Sequence, residues 1–136
     1  MKAVSSAAEL FANPSDRYIL QRRFAYVCID PTLFSVVVWG HVEESDSAEL
    51  SAILMTEQAA AVRPHRSLLH FQHLESVEEL AVRRIAAFMS SHQAEQAKVV
   101  TKEAVVRPAG TIGMLVGGFY EVVEPPYPVA VCSTVA

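Results

Sequence analysis

Apolar residues in this chain fall into two kinds of run, and their alternation predicts the architecture. The run Phe34–Trp39 is almost unbroken, stops at Gly40 and His41, and is too short for a globular helix. Such a run predicts a strand buried on both faces, with helices over it. Phe24–Ile29 precedes it across Asp30, Pro31 and Thr32, which are turn residues, so the two strands are expected to form a hairpin. Ser67–Phe71, Lys98–Val106 and Val129–Cys132 read as three further strands.

Between these strands the apolar residues recur at helical spacing. Leu50, Ile53, Leu54, Ala61 and Val62 share a stripe, on a helix expected to be capped by Asp46 with Glu49 reaching back, and ended at Arg63-Pro64. Val77, Leu80, Ala81, Ile85 and Phe88 form a second face behind a Ser76/Glu79 capping box, with Arg83 and Arg84 toward water. A third helix opens at Pro108-Ala109-Gly110, presents Ile112, Leu115, Val116 and Phe119, and is stopped by Pro125-Pro126. A short helix over Ala7–Ala12 ends before Asn13-Pro14, because the residue before a proline is pushed out of the helical region. The order β-β-α-β-α-β-α-β predicts one α/β domain over residues 23–136, with an N-terminal segment over 1–22. Its sheet is expected to be mixed and mostly parallel, with the hairpin at the N-terminal side.

Composition narrows the possibilities. With 136 residues, 51% of them hydrophobic, the chain can bury a core without metal or disulfide staples. A formal charge of −4 argues against general nucleic-acid binding, and no apolar run approaches a membrane span. Cys28 and Cys132 sit inside strand-like runs without metal spacing, which predicts buried, reduced thiols and a cytoplasmic protein.

Candidate chemistry is sparse. His65, His70 and His73 match no closed zinc pattern, no nucleophile elbow is present, and neither an enzyme nor a cofactor is expected. Gly110, Gly113, Gly117 and Gly118 crowd one helix, and interior glycines cost about 1 kcal/mol each relative to alanine. Close approach of that helix to a neighbour explains them, with Gly113 and Gly117 on one face; an anion site at Arg107 with the Gly110 and Thr111 amides is the sharper alternative. In a parallel sheet the strand ends His41, His73, Arg107 and Ser133 should share the carboxyl edge, where open sheets bind ligands.

The hairpin followed by alternating strands and helices resembles STAS domains, the fold of anti-sigma-factor antagonists, over about residues 23–132. The local pattern is 68–79, LLHFQHLESVEE, read as a strand, a short turn and a capped helix. STAS domains usually carry an Asp at that strand end and a phosphorylated Ser at that helix start. Here His70 and the pair Glu78 and Glu79 stand in those places, so phosphorylation by a partner kinase is not implied. Trp39-Gly40, residues 105–113 and residues 118–129 are similar to an N-terminal module of some AraC-type regulators, without their DNA-binding domain. The AraC-type resemblance implies a sensory or protein-interaction module rather than an enzyme, and with the STAS-like fold the expected role is a non-catalytic regulatory or protein-interaction module. The alternative is a small-ligand (anion) sensor using His41, His73, Arg107, Gly110 and Thr111. Because Cys132–Ala136 leaves no room for a further covering helix, apolar surface is expected to remain for a second copy or another protein, unless Leu10, Phe11, Tyr18, Ile19 and Leu20 fold over it.

Overall fold

In the computed structural model, seven strands lie side by side in the order in which the chain makes them. The structure describes residues 1–60 and 62–133; Ala61 of the expected stripe and the last three residues lie outside the described residues. The strands are β1 (Lys2–Ala3), β2 (Arg17–Leu20), β3 (Phe24–Asp30), β4 (Leu33–Val42), β5 (His65–Val77), β6 (Val100–Arg107) and β7 (Val129–Ser133). The helices are α1 (Ala7–Ala12), α2 (Glu44–Ala59), α3 (Glu79–Ser91), α4 (Gln93–Val99) and α5 (Gly110–Val122). The β3–β4 hairpin is antiparallel, as is β2–β3, and every pairing from β4 to β7 is parallel. The fold is therefore the α/β class expected, with a mixed, mostly parallel sheet. No helix among the described residues is long and apolar enough to cross a membrane.

Residues 1–22 build part of this sheet. Ser6 caps α1 by accepting from the Glu9 amide at 3.1 Å, and the helix lays Leu10 and Phe11 into the core. The β2 strand then pairs antiparallel with β3 and buries Ile19, while Leu20 on the opposite face is 62% exposed. This strand escaped the apolar pattern because it offers only one inward residue.

Several boundaries differ from those the pattern implied. α2 starts earlier: Glu43 is its N-cap and Asp46, buried, reaches back to the Glu43 amide at 2.8 Å, so the capping box forms one turn before the expected Asp46/Glu49 pair. Arg22 holds the Asp46 carboxylate at 2.7 Å, which ties the helix start to the sheet. β5 is 13 residues long and contains Ser76, so the Ser76/Glu79 capping box does not form; Glu78 is the N-cap of α3. Leu80, assigned to the apolar face of α3, is 57% exposed, because the helix begins only at Glu79 and faces the sheet through Ala81, Ile85 and Phe88 instead. The strand expected from Lys98 begins at Val100, its first residues being the last turn of the short α4. Cys132 is exposed rather than buried, since β7 is an edge strand; Cys28 is fully buried.

The five helices among the described residues all sit on one face of the sheet. Phe11 of α1 packs edge-on against Tyr26, with ring centroids 5.6 Å apart, and also against Phe34, while α2, α3, α4 and α5 close over the inward residues of β3–β6. Crossovers of one hand between neighbouring strands, always stepping the same way, bring none of these helices to the other face. The expectation that β4 is buried on both faces is thereby corrected. Phe34, Val36, Val38 and Val42 are buried under helices, whereas Leu33, Val37 and Trp39 are half-buried on an uncovered face. Burial of Phe24, Phe34 and Leu10, the largest fully buried side chains, contributes about 1.5–3 kcal/mol apiece.

The glycine-rich α5 has a steric explanation. A Cβ on Gly113 would stand 1.9 Å from the Pro108 carbonyl oxygen, and one on Gly117 would stand 3.2 Å from Nη1 of Arg107. Arg107 therefore lies along the helix face that these two glycines leave bare. Gly118 faces open space, and a methyl group there would have no neighbour within 4 Å. Gly113→Ala should accordingly destabilise the fold by about 1–3 kcal/mol in urea unfolding, while Gly118→Ala should be neutral or stabilise by up to about 1 kcal/mol. Equal effects of the two substitutions would contradict this packing.

Candidate functional site

A cavity of about 200 Å³ lies between the sheet and the helices. Its walls are the inward residues of β4 and β5 (Val36, Val38, Leu69, Phe71) and the apolar faces of α2, α3 and α5, among them Leu54, Ile85, Met89 and Val116. Leu115 lines it and is also 47% exposed, which places Leu115 at the rim. The lining mixes aromatic side chains such as Phe71, Phe119 and Tyr120 with branched aliphatics and small residues such as Ala81 and Ser47.

One part of the lining is polar and consists of buried groups. Tyr26 on β3 donates its hydroxyl to Glu57 Oε2 at 2.8 Å, and His65 Nε2 meets Glu57 Oε1 at 2.8 Å. Nδ1 of His65 is 3.2 Å from the Arg63 carbonyl, so both ring nitrogens have an oxygen within reach. The His65 ring stacks on Phe34 with centroids 3.8 Å apart, which fixes its plane. Glu57 and His65 are each 2% exposed. Glu57 sits at the apolar spacing of α2, one turn beyond Ile53 and Leu54, so a carboxylate occupies a position that the helix pattern reserves for a core residue.

Glu103 on β6 and Gln96 on α4 complete the polar lining, 7% and 6% exposed. Among the described residues, Glu103 Oε2 and Gln96 Oε1 have no hydrogen-bond partner. Burial raises Glu103 to about 7; a hydrogen bond from Ser67 lowers it, and the Glu57 carboxylate raises it further. Burial likewise holds the Tyr26, Tyr120 and Tyr127 hydroxyls above their ordinary range, with Glu57 or Glu103 adding to each. Burial and Glu57 also push the Cys28 thiol up to about 12, so it stays protonated and unreactive. Among the described residues, no lysine or arginine lines the cavity. Among them, too, no group of three or more His, Cys, Asp or Glu side chains is placed to hold a metal ion.

The residues read from the sequence as a site lie elsewhere. His41 is exposed and hydrogen-bonds Ser76 through Nδ1. His73 is exposed within β5, level with Trp39 and 6.1 Å from His70 between ring centroids. Arg107 Nε donates to Ser133 Oγ at 3.2 Å, as the shared strand edge implied, while Gly110 and Thr111 are exposed at the start of α5. None of these five lines the cavity. Apart from His65, which was weighed only as a metal ligand with His70 and His73, the cavity groups belong to no motif and were not singled out. Their signal was positional: Tyr26, Glu57 and Glu103 are polar residues at inward positions of otherwise apolar patterns. No protein-family model, curated protein or solved structure matches this chain.

The raised Glu103 fixes the sign of a pH dependence. The folded state holds this proton more tightly than the unfolded chain, whose carboxyl titrates near 4.5, so its stabilising contribution is full below that value and is lost as pH rises toward about 7. Wild-type stability should therefore fall relative to Glu103→Gln by at most about 3 kcal/mol across this range, as read from urea melts at a series of pH values. Parallel pH profiles for the two proteins would contradict the assignment.

Proposed function

We propose that this chain is a cytoplasmic, non-catalytic regulatory module that binds a small, mostly apolar molecule between its sheet and helices. The observation that carries the reading is the cavity of about 200 Å³, lined by aliphatic and aromatic side chains around a few buried polar groups. That combination is the usual form of a small-molecule site. An empty apolar cavity of about 150 Å³ in a protein core is large enough to hold benzene, which sets the scale of the ligand. Tyr26, Glu57 and His65 hold one another, and the buried thiol is unreactive, so the site favours retention over turnover. A cytoplasmic setting is supported by the free thiols Cys28 and Cys132, the latter exposed.

Ethylbenzene, a neutral hydrocarbon of suitable size, should raise the melting temperature by several degrees when present well above its dissociation constant. Val116→Phe, which places a ring in the cavity, should abolish that rise without unfolding the protein. A wild-type melt that moves with no small apolar compound, neutral or charged, would refute the reading.

A second reading is favoured by the uncovered sheet face, where Val27, Val37, Trp39, Leu68, Ala104 and Val106 lie on neighbouring strands. Six strands spaced about 4.8 Å apart, with about six residues each on 3.3 Å of rise, give roughly 600 Å² in flat projection. With its rim this approaches the roughly 800 Å² per partner of a standard interface. We propose that a second copy of the chain covers it, sheet against sheet, as two such faces pack at about 10 Å. Leu68→Lys should then turn a dimer into a monomer in sedimentation equilibrium while leaving hydrocarbon binding intact. A wild-type monomer at tens of micromolar would overturn the second reading alone.

A further inference from the structure

The polar part of the cavity selects among ligands, and this inference rests on the cavity being a binding site. We propose that the ligand is a small primary amine on an apolar body, held through its ammonium by Glu103 and Gln96.

Among the described residues, the lining holds buried acceptors that lack a donor. Glu57 Oε2 accepts from the Tyr26 hydroxyl, and His65 Nε2 stands 2.8 Å from Oε1, which has no hydrogen-bond partner of its own. Glu103 Oε2 and Gln96 Oε1 are free acceptors, on side chains more than nine-tenths buried, and both residues line the cavity. Buried acceptors without donors are unfavourable, so the matching guest is one that donates. A hydrocarbon fills the volume but leaves both oxygens unpaired. An anion fares worse, because it meets Glu57 and Glu103 with no lysine or arginine among the described lining residues to offset them. An ammonium brings three donors and a positive charge to the Glu103 carboxylate, and a charge-assisted hydrogen bond is about twice as strong as a neutral one. Glu57 from α2, Tyr26 from β3, Tyr120 from α5 and Tyr127 beyond it act on or are acted on by Glu103, and His65 from β5 shares the lining with its Nε2 against Glu57. The amine proposed is also opposite in charge to the anion expected at the carboxyl edge, so the two sites cannot be confused.

Three probes with one phenyl-ethyl skeleton separate these cases: 2-phenylethylamine, ethylbenzene and 3-phenylpropionate. Titrations of the full chain are followed by calorimetry above the pH at which Glu103 takes up a proton. The amine should bind at least about tenfold tighter than ethylbenzene, a ratio set by a hydrogen bond to a charged group, and the carboxylate should not bind. Glu103→Gln should remove most of the amine's advantage and leave ethylbenzene affinity unchanged. Gln96→Leu should weaken the amine in the same direction, and it provides the comparison should Glu103→Gln not fold. Equal affinity for amine and ethylbenzene, or tighter binding of the carboxylate, would overturn the amine assignment and leave the cavity reading standing. Failure of all three probes to bind the folded protein would overturn both.

Discussion

The arrangement of this protein follows from one constraint on how neighbouring parallel strands are joined. A strand, a helix and the next parallel strand make a crossover of fixed hand, and here each crossover from β4 to β7 steps to the adjacent position in the same direction. Every crossover helix is thereby delivered to the same face. One face of the sheet is closed over by five helices, and among the described residues the other carries none. The cavity and the bare face are two consequences of the same topology.

On the covered side, the layers leave a cavity at one place and are held together beside it by a larger core. Leu10, Phe11, Tyr26 and Phe34 form that core at the β3–β4 hairpin, with Tyr26 passing its hydroxyl to Glu57. The network Tyr26–Glu57–His65 spans β3, α2 and β5 and stacks on Phe34. It anchors the α2 end of the cavity, while the Glu103 and Gln96 acceptors remain uncommitted. A binding site needs this division: groups satisfied by one another to fix the shape, and groups left over to recognise a guest.

From β3 onward, the short α4 apart, the types and order of the elements were legible because they depend on local pattern, whereas β1, β2 and α4 were not expected. The apolar runs of β3, β4 and β7 and the stripe of α5 predict themselves; the close approach to the sheet or another helix expected at Gly113 and Gly117 is instead made by the Pro108 carbonyl and the Arg107 side chain that lead into the helix. What was not legible depends on neighbours far away in the chain. β2 has a single inward residue, Ile19, and becomes a strand only because β3 offers it an edge. The continuation of β5 to Val77 follows from pairing with the long β4, which overrides the capping signal at Ser76. The cavity is a property of facing surfaces, so no window of sequence contains it. Yet three of its polar groups stood at inward positions, and a reading that treated Tyr26, Glu57 and Glu103 as misplaced core residues would have found them.

If the space between the sheet and helices is where this protein binds, methyl-resolved NMR during titration with 2-phenylethylamine locates the contact directly. Binding there predicts shifts at the methyl groups of Leu54, Ile85, Met89 and Val116, with those of Leu68 and Val106 on the bare sheet face unmoved. Shifts confined to the bare face, or none at all in a folded protein at saturating amine, would contradict it.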